Sequence, residues 1–152
     1  LGFIYGPSDA IPKLKLAAEE MTYCPPVFAQ RFVATYLRSE VRMRHLRYII
    51  DEYRSRRDAV VKALREYLPE SRFIVPRGSM FVFVDLSKYI RDSERFAEAL
   101  LERYGVTVIP GTYFSDVYRS AIRISFVVES VDRLQLGIER IGRAINDLRG
   151  LL

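Results

Sequence analysis

At 152 residues and 49% hydrophobic side chains, the chain is long enough to bury one core and too apolar to be disordered throughout. One Cys and one His leave no basis for an intrachain disulfide framework, a zinc cluster or a His-built metal site. The net charge of +5 is local, because between Arg31 and Glu66 ten Lys or Arg stand against five Asp or Glu, a surplus equal to that of the whole chain. Such a run is expected to be the solvated face of a long helix, with a nucleic-acid-binding stripe as the alternative.

Leu1 to Tyr5 is apolar and β-prone, closed by Gly6-Pro7, and predicts a strand that needs sheet neighbours. The opening Leu-Gly-Phe, without a methionine, reads as the inside of a longer protein. Ser8 or Asp9 is the expected cap of a helix from Ala10 to about Glu20, with Pro12 tolerated in its first turn. Thr22 to Pro26 is a break. From Val27 to Leu68 apolar residues recur every three or four positions, which predicts a helix over about 27–39 and another over about 42–68, ended by Pro69. Their aromatic and Met residues, Phe28 and Phe32 among them, are expected in a core.

Arg72 to Val75 predicts a short strand, Pro76 to Ser79 a turn, and Met80 to Leu86 a strand with both faces covered. Ser93 is the expected cap of a helix running to about Tyr104, with Phe96, Leu100 and Leu101 inward and Gly105 as its C-cap. Val106 to Ile109 predicts a strand and Thr112 to Ser120 a loop. In the strand Ala121 to Val127, alternation sends Ile122, Ile124, Phe126 and Val128 to a core face. Ala121, Arg123 and Ser125 go to the other. From Ser130 to about Leu148 a last amphipathic helix lines Leu134, Ile138, Ile141 and Ile145 along one side. The succession predicts an α+β fold: a small, mostly antiparallel sheet covered by helices and preceded by long helices.

Arg123 is the candidate functional residue. A guanidinium in mid-strand is either paired in place or open to a cleft, and its fork matches a carboxylate or phosphate. No apolar run approaches the length of a membrane span, and no signal-peptide pattern opens the chain. A reducing, cytoplasmic setting is the expectation. His45 is read as a helix-surface or interface residue. Phosphate-loop and dinucleotide signatures are absent.

Four signatures, in order, resemble a known family. Leu1-Gly2-Phe3 through Pro7 resembles the segment after its Gly-x-Arg-x-Gly turn. Pro76-x-Gly78-Ser79-Met80-Phe81 resembles its P-x-G-G-M-F hairpin, and Gly105-Val106 with Pro110-Gly111-x-x-Phe114 its G-V-x-x-x-P-G-x-x-F stretch. Ile122-Arg123-Ile124-Ser125-Phe126 resembles its l-R-l-s-F strand. The chain is similar to the C-terminal portion of a fold-type-I, pyridoxal-phosphate-dependent aminotransferase of class I/II. The helix carrying His45, Glu52-Tyr53 and Arg56-Arg57-Asp58 is similar to the branch of 2-aminoadipate and broad-specificity aromatic or branched-chain aminotransferases. That branch includes regulators fusing a winged helix to an aminotransferase body.

The resemblance implies transfer of an amino group from an amino acid to a 2-oxo acid through pyridoxal 5'-phosphate, in a homodimeric parent protein. It assigns Arg123 to the substrate α-carboxylate. It implies that residues 1–26 belong to the large cofactor-binding domain, 27–68 to interdomain and small-domain helices, and 69–152 to the small C-terminal domain. The family's Schiff-base lysine and phosphate-binding arginine would precede Leu1. Lys13, Lys15, Lys62 and Lys88 read as surface lysines, so this chain is expected to hold no catalytic or cofactor-binding residue and to be inactive alone. An effector-sensing domain of a winged-helix regulator and a basic-helix nucleic-acid module are the alternatives.

Overall fold

The computed structural model describes residues 1–148. The chain divides into two compact units, Leu1–Tyr48 and Ile49–Leu152.

The first unit holds α1 (Ile11–Thr22), α2 (Val27–Arg38) and the beginning of α3 (Val41–Tyr67). Ala10, not Ser8 or Asp9, occupies the N-cap of α1, without a side-chain bond, and Pro12 is accommodated in the first turn. Tyr23 breaks the helix with a positive φ of 58°. At the next break Ser39 Oγ donates to the Tyr36 carbonyl at 2.8 Å, and the Tyr36 hydroxyl is 2.8 Å from His45 Nδ1. The strand expected at Leu1–Tyr5 does not form, because no described strand pairs with it, and Phe3 and Tyr5 are almost fully exposed. Phe28 and Phe32 stack on each other along α2 but face outward, and neither α1 nor α2 buries any residue. Helical spacing gave them a shared apolar face. The described residues of this unit do not cover it.

The second unit contains the core. β1 (Arg72–Phe73), β2 (Phe81–Asp85), β3 (Ile109–Pro110) and β4 (Ala121–Ser125) form an antiparallel sheet in the order β1-β2-β4-β3. Val82, Val84, Ile122, Ile124 and Phe126 meet side chains of α3, of α4 (Ser93–Tyr104) and of α5 (Val131–Asp147) in one cluster. On α5, Leu134, Ile138, Ile141 and Ile145 are all buried, as the spacing predicts. Each such side chain contributes roughly 1.5–3 kcal/mol by leaving water. The fold is α+β, with the helices gathered on one face of the sheet.

Several local expectations are corrected. β1 is two residues long, and β3 begins only at Ile109, since the Val106 amide still bonds the Leu100 carbonyl at the end of α4. β2 is covered on one face only: Val82 and Val84 are buried, while Phe81, Phe83 and Asp85 are half-buried. The cap of α4 is Asp92, whose carboxylate accepts from the Glu94 and Arg95 amides, and Ser93 is the first helical residue. Leu101 faces solvent, whereas Phe96 and Leu100 point inward. Gly105 ends α4 at φ 64°, as a left-handed C-cap requires. Val128 is 79% exposed, because β4 ends at Ser125 and the chain bends away toward the Ser130 cap of α5.

Candidate functional site

Arg123 lies at the centre of β4, opposite Phe83 on β2 and Ile109 on β3. Its neighbours Ile122 and Ile124 are in the core, so alternation turns its side chain to the open face of the sheet. The guanidinium is half-buried and forms no ion pair among the described residues. Its Nε is buried without a hydrogen-bond partner. Instead, Cζ lies 4.1 Å from the centroid of the Phe81 ring and 5.0 Å from that of Phe114. Aromatic faces carry negative potential, so they attract the cation without consuming its N–H donors.

Two segments bring these rings to the arginine. The hairpin at Pro76–Met80 turns through Ser79 at φ 73° and delivers Phe81 at the start of β2. The other segment runs from Gly111 to Ser120 through two 3-10 turns, Gly111–Tyr113 and Asp116–Tyr118. It folds back tightly at Gly111, where a Cβ would overlap the Tyr118 carbonyl oxygen and stand 2.8 Å from that of Ala121. Thr112 donates its hydroxyl to Glu94 Oε1 at 2.6 Å, and the Ser93 amide donates to the Arg119 carbonyl at 2.8 Å. Both bonds fasten the loop to α4. Phe83 meets Phe114 edge-on at 5.8 Å and Tyr118 at 5.1 Å. The result is a cation against two aromatic rings, Phe81 and Phe114, with Phe83 packed on Phe114 and Tyr118 on Phe83.

On the same face an open groove of about 840 Å³ runs past Phe81, Phe83, Val117 and Tyr118, with Arg72 and Asp85 also in its wall. Arg72 and Asp85 are register partners on β1 and β2. Arg123 does not line this groove; Phe81 is the residue shared by the groove and the Arg123 guanidinium, and the cation in the groove's own wall is Arg72. Alternation in the sequence places Arg123 on this face. It does not bring Phe81, Phe83, Phe114 and Tyr118 together, because their meeting depends on strand register and on the fold of the loop. The tight Pro110-Gly111 turn was the available signal.

Elsewhere the basic run on α3 is interleaved with ion pairs, Arg54–Asp51, Arg56–Glu52 and Arg57–Asp58. The described residues hold no cluster of three or more His, Cys, Asp and Glu suited to a metal, and no helix long and apolar enough to cross a membrane. Cys24 is an exposed free thiol. Far from Arg123 in the chain, the Tyr104 hydroxyl donates to Asp147 Oδ2 at 2.7 Å, and that hydrogen bond raises the phenol above its ordinary pKa of 10.0.

A family model described as Aminotransferase class I and II matches residues 1–141. Aromatic-amino-acid aminotransferase 1 of Thermococcus litoralis is 30% identical over 151 residues, covering 97% of this chain and 36% of that protein. An uncharacterized HTH-type transcriptional regulator of Bacillus subtilis, YdfD, is 26% identical over 149 residues, covering 97% of this chain and 30% of its own length. Among solved structures, LysN, an α-aminoadipate aminotransferase of Thermus thermophilus complexed with N-(5'-phosphopyridoxyl)-L-leucine, superposes with a TM-score of 0.80 at 27% identity. That match covers 95% of this chain and 37% of LysN. The chain spans about a third of the length of the curated relatives it matches.

A pyridoxal cofactor held covalently needs a sheltered amine. Lys13, Lys15, Lys62 and Lys88 are all exposed, and no lysine lines the groove past Phe81 and Phe83. These residues do not fit the cofactor by themselves. They do fit a carboxylate.

Proposed function

Since the chain belongs to the aminotransferase class I and II family, we propose that the full-length protein moves an amino group from an amino acid to a 2-oxo acid with pyridoxal 5'-phosphate. Arg123 binds the α-carboxylate shared by both substrates. The observation that carries this reading is a half-buried guanidinium without an ion-pair partner among the described residues, set against the Phe81 and Phe114 rings. The cofactor supplies an electron sink and is held by parts of the protein outside this chain. Residues 1–26 belong to the large domain, 27–68 to linking helices, and 69–152 to the small domain, and the whole protein is a homodimer. The lone Cys24 accords with a reducing, cytoplasmic setting.

The arginine's contribution follows from geometry. Two parallel N–H···O bonds fix a carboxylate in plane and in direction, and a fixed carboxylate fixes the Cα–H bond of the amino acid. Charge-assisted bonds of this kind are worth about 1.5–3 kcal/mol each where water is displaced. The rings displace water on at least one side of the cation. The described residues offer no sheltered amine, so the chain is not expected to catalyse the reaction in isolation.

The test is an assay of the purified full-length protein with pyridoxal 5'-phosphate, 2-oxoglutarate and a panel of L-amino acids. Formation of the matching 2-oxo acid is the expected result. Its absence across the panel contradicts the reading. The similarity to YdfD supports a second reading, an effector-sensing domain of a winged-helix regulator. In that case the protein binds amino acids without turnover and carries a winged-helix domain.

A further inference from the structure

We propose that Phe81 and Phe114 are positioning residues, whose ring faces hold the Arg123 guanidinium in the orientation that receives the substrate carboxylate. The inference rests on the α-carboxylate role of Arg123 proposed above. An arginine side chain carries about 2 kcal/mol of rotamer entropy, which an unrestrained cation would give up on binding. Here that freedom is already removed. Cζ sits 4.1 Å from the Phe81 centroid and 5.0 Å from the Phe114 centroid, both inside the roughly 6 Å range of a cation–π contact. No carboxylate among the described residues takes the place of the substrate.

The two rings reach the cation by independent routes. Phe81 stands on β2, whose pairing with β4 is fixed along its length from Phe81↔Ser125 to Asp85↔Ala121. Phe114 stands on the loop that begins at the close-packed Gly111, and its ring is braced edge-on by Phe83, which Tyr118 braces in turn. One ring is therefore set by the sheet and the other by the loop. Nε is buried, so a carboxylate arriving from the open face of the sheet is met by the terminal nitrogens, Nη1 and Nη2, end-on. The rings do not contact the reacting bond in this account. They act through the arginine.

The experiment separates ring electrostatics from ring shape. In the full-length protein, Phe81 and Phe114 are replaced singly by pentafluorophenylalanine, which keeps the ring but reverses the sign of its face. Phe114→Tyr, which keeps a negative face, is the rescue variant. Steady-state kinetics use the most active L-amino acid of the panel. The expected result is a KM raised roughly three- to thirty-fold by each fluorinated ring, with kcat at saturation within about two-fold of the parent. Phe114→Tyr stays within about two-fold in KM. A KM unchanged by fluorination at both positions overturns the proposal, as does a loss confined to kcat. Arg123→Gln is measured alongside. If it leaves kcat/KM unchanged, the carboxylate role itself fails. If it lowers kcat/KM while the fluorinated rings leave KM unchanged, only the role of the rings fails.

Discussion

Thr112 donates its hydroxyl to Glu94 Oε1 at 2.6 Å, tying the loop that carries Phe114 to the first turn of α4. The bond is exposed, so its net worth is about 0.5–1.5 kcal/mol. Its position gives it influence beyond that magnitude, because it lies two residues from Phe114, whose ring packs on the Arg123 guanidinium. Thr112→Val should loosen the loop without unfolding the protein. The expected outcome in the full-length protein is faster amide hydrogen exchange across residues 111–120, with little change in the amides of α5. Unchanged exchange in the loop would mean that the Ser93–Arg119 and Leu86–Ser120 backbone bonds suffice to hold it.

Gly111 should tolerate no side chain. The Cβ of Gly111→Ala would overlap the Tyr118 carbonyl, and its other nearest contact, the Ala121 carbonyl at 2.8 Å, is also backbone that cannot swing aside. Overpacking of this kind costs about 1–3 kcal/mol. A lower thermal midpoint is expected, together with a raised KM for amino acids, since Phe114 and Tyr118 move with the loop. A variant with the parent's midpoint and KM would show that the loop has another conformation of equal energy.

The start of α4 yields a paired prediction. Asp92 accepts two backbone amides, so Asp92→Ala should destabilise the protein by about 0.5–2 kcal/mol. Ser93 is fully buried and its Oγ has no partner, so Ser93→Ala should be neutral or stabilising. Denaturant midpoints of the two variants should fall on opposite sides of, or one below and one level with, the parent. The reverse order would make Ser93 the cap.

Much of this was legible in the sequence, and the reasons are specific. The α5 stripe of Leu134, Ile138, Ile141 and Ile145 is readable because helical spacing and burial coincide when one face meets a core. Arg123 is readable for the same reason at period two, since Ile122 and Ile124 claim the core. Phe28 and Phe32 show where such reading stops. Periodicity reports that an apolar face exists and says nothing of what covers it. Leu1–Tyr5 fails as a strand on similar grounds, because β-propensity cannot supply a pairing partner. The run Met80 to Leu86 reads as covered on both faces because aromatic residues beside a cation have the composition of a core. Asp92 and Ser93 are both good caps by type, and only backbone position distinguishes them.

Tyr104 and Asp147 give a pH dependence with a definite sign. The hydrogen bond to Asp147 raises the folded-state pKa of the phenol above 10.0. A group raised on folding adds stability that is fully present below its unfolded pKa and is lost as pH climbs through the folded one. The stabilisation from this pair should therefore persist to about pH 10 and fade above it. Denaturant midpoints of the parent and of Tyr104→Phe, compared from pH 9 upward, should converge as pH rises. Parallel curves across that range would show that the pair contributes nothing to the alkaline limb.

The most direct measurement of the central claim is the effect of Arg123→Gln on kcat/KM in the full-length protein. It is made with the best L-amino acid of the panel and with the amine that has the same side chain but no carboxylate. Losing a bidentate charged pair should cost about 2–4 kcal/mol, a reduction of roughly thirty- to a thousand-fold for the amino acid. Activity toward the amine, however low, should change by less than about three-fold. Equal losses on both substrates, in a protein that remains folded, would contradict the assignment of Arg123 to the carboxylate.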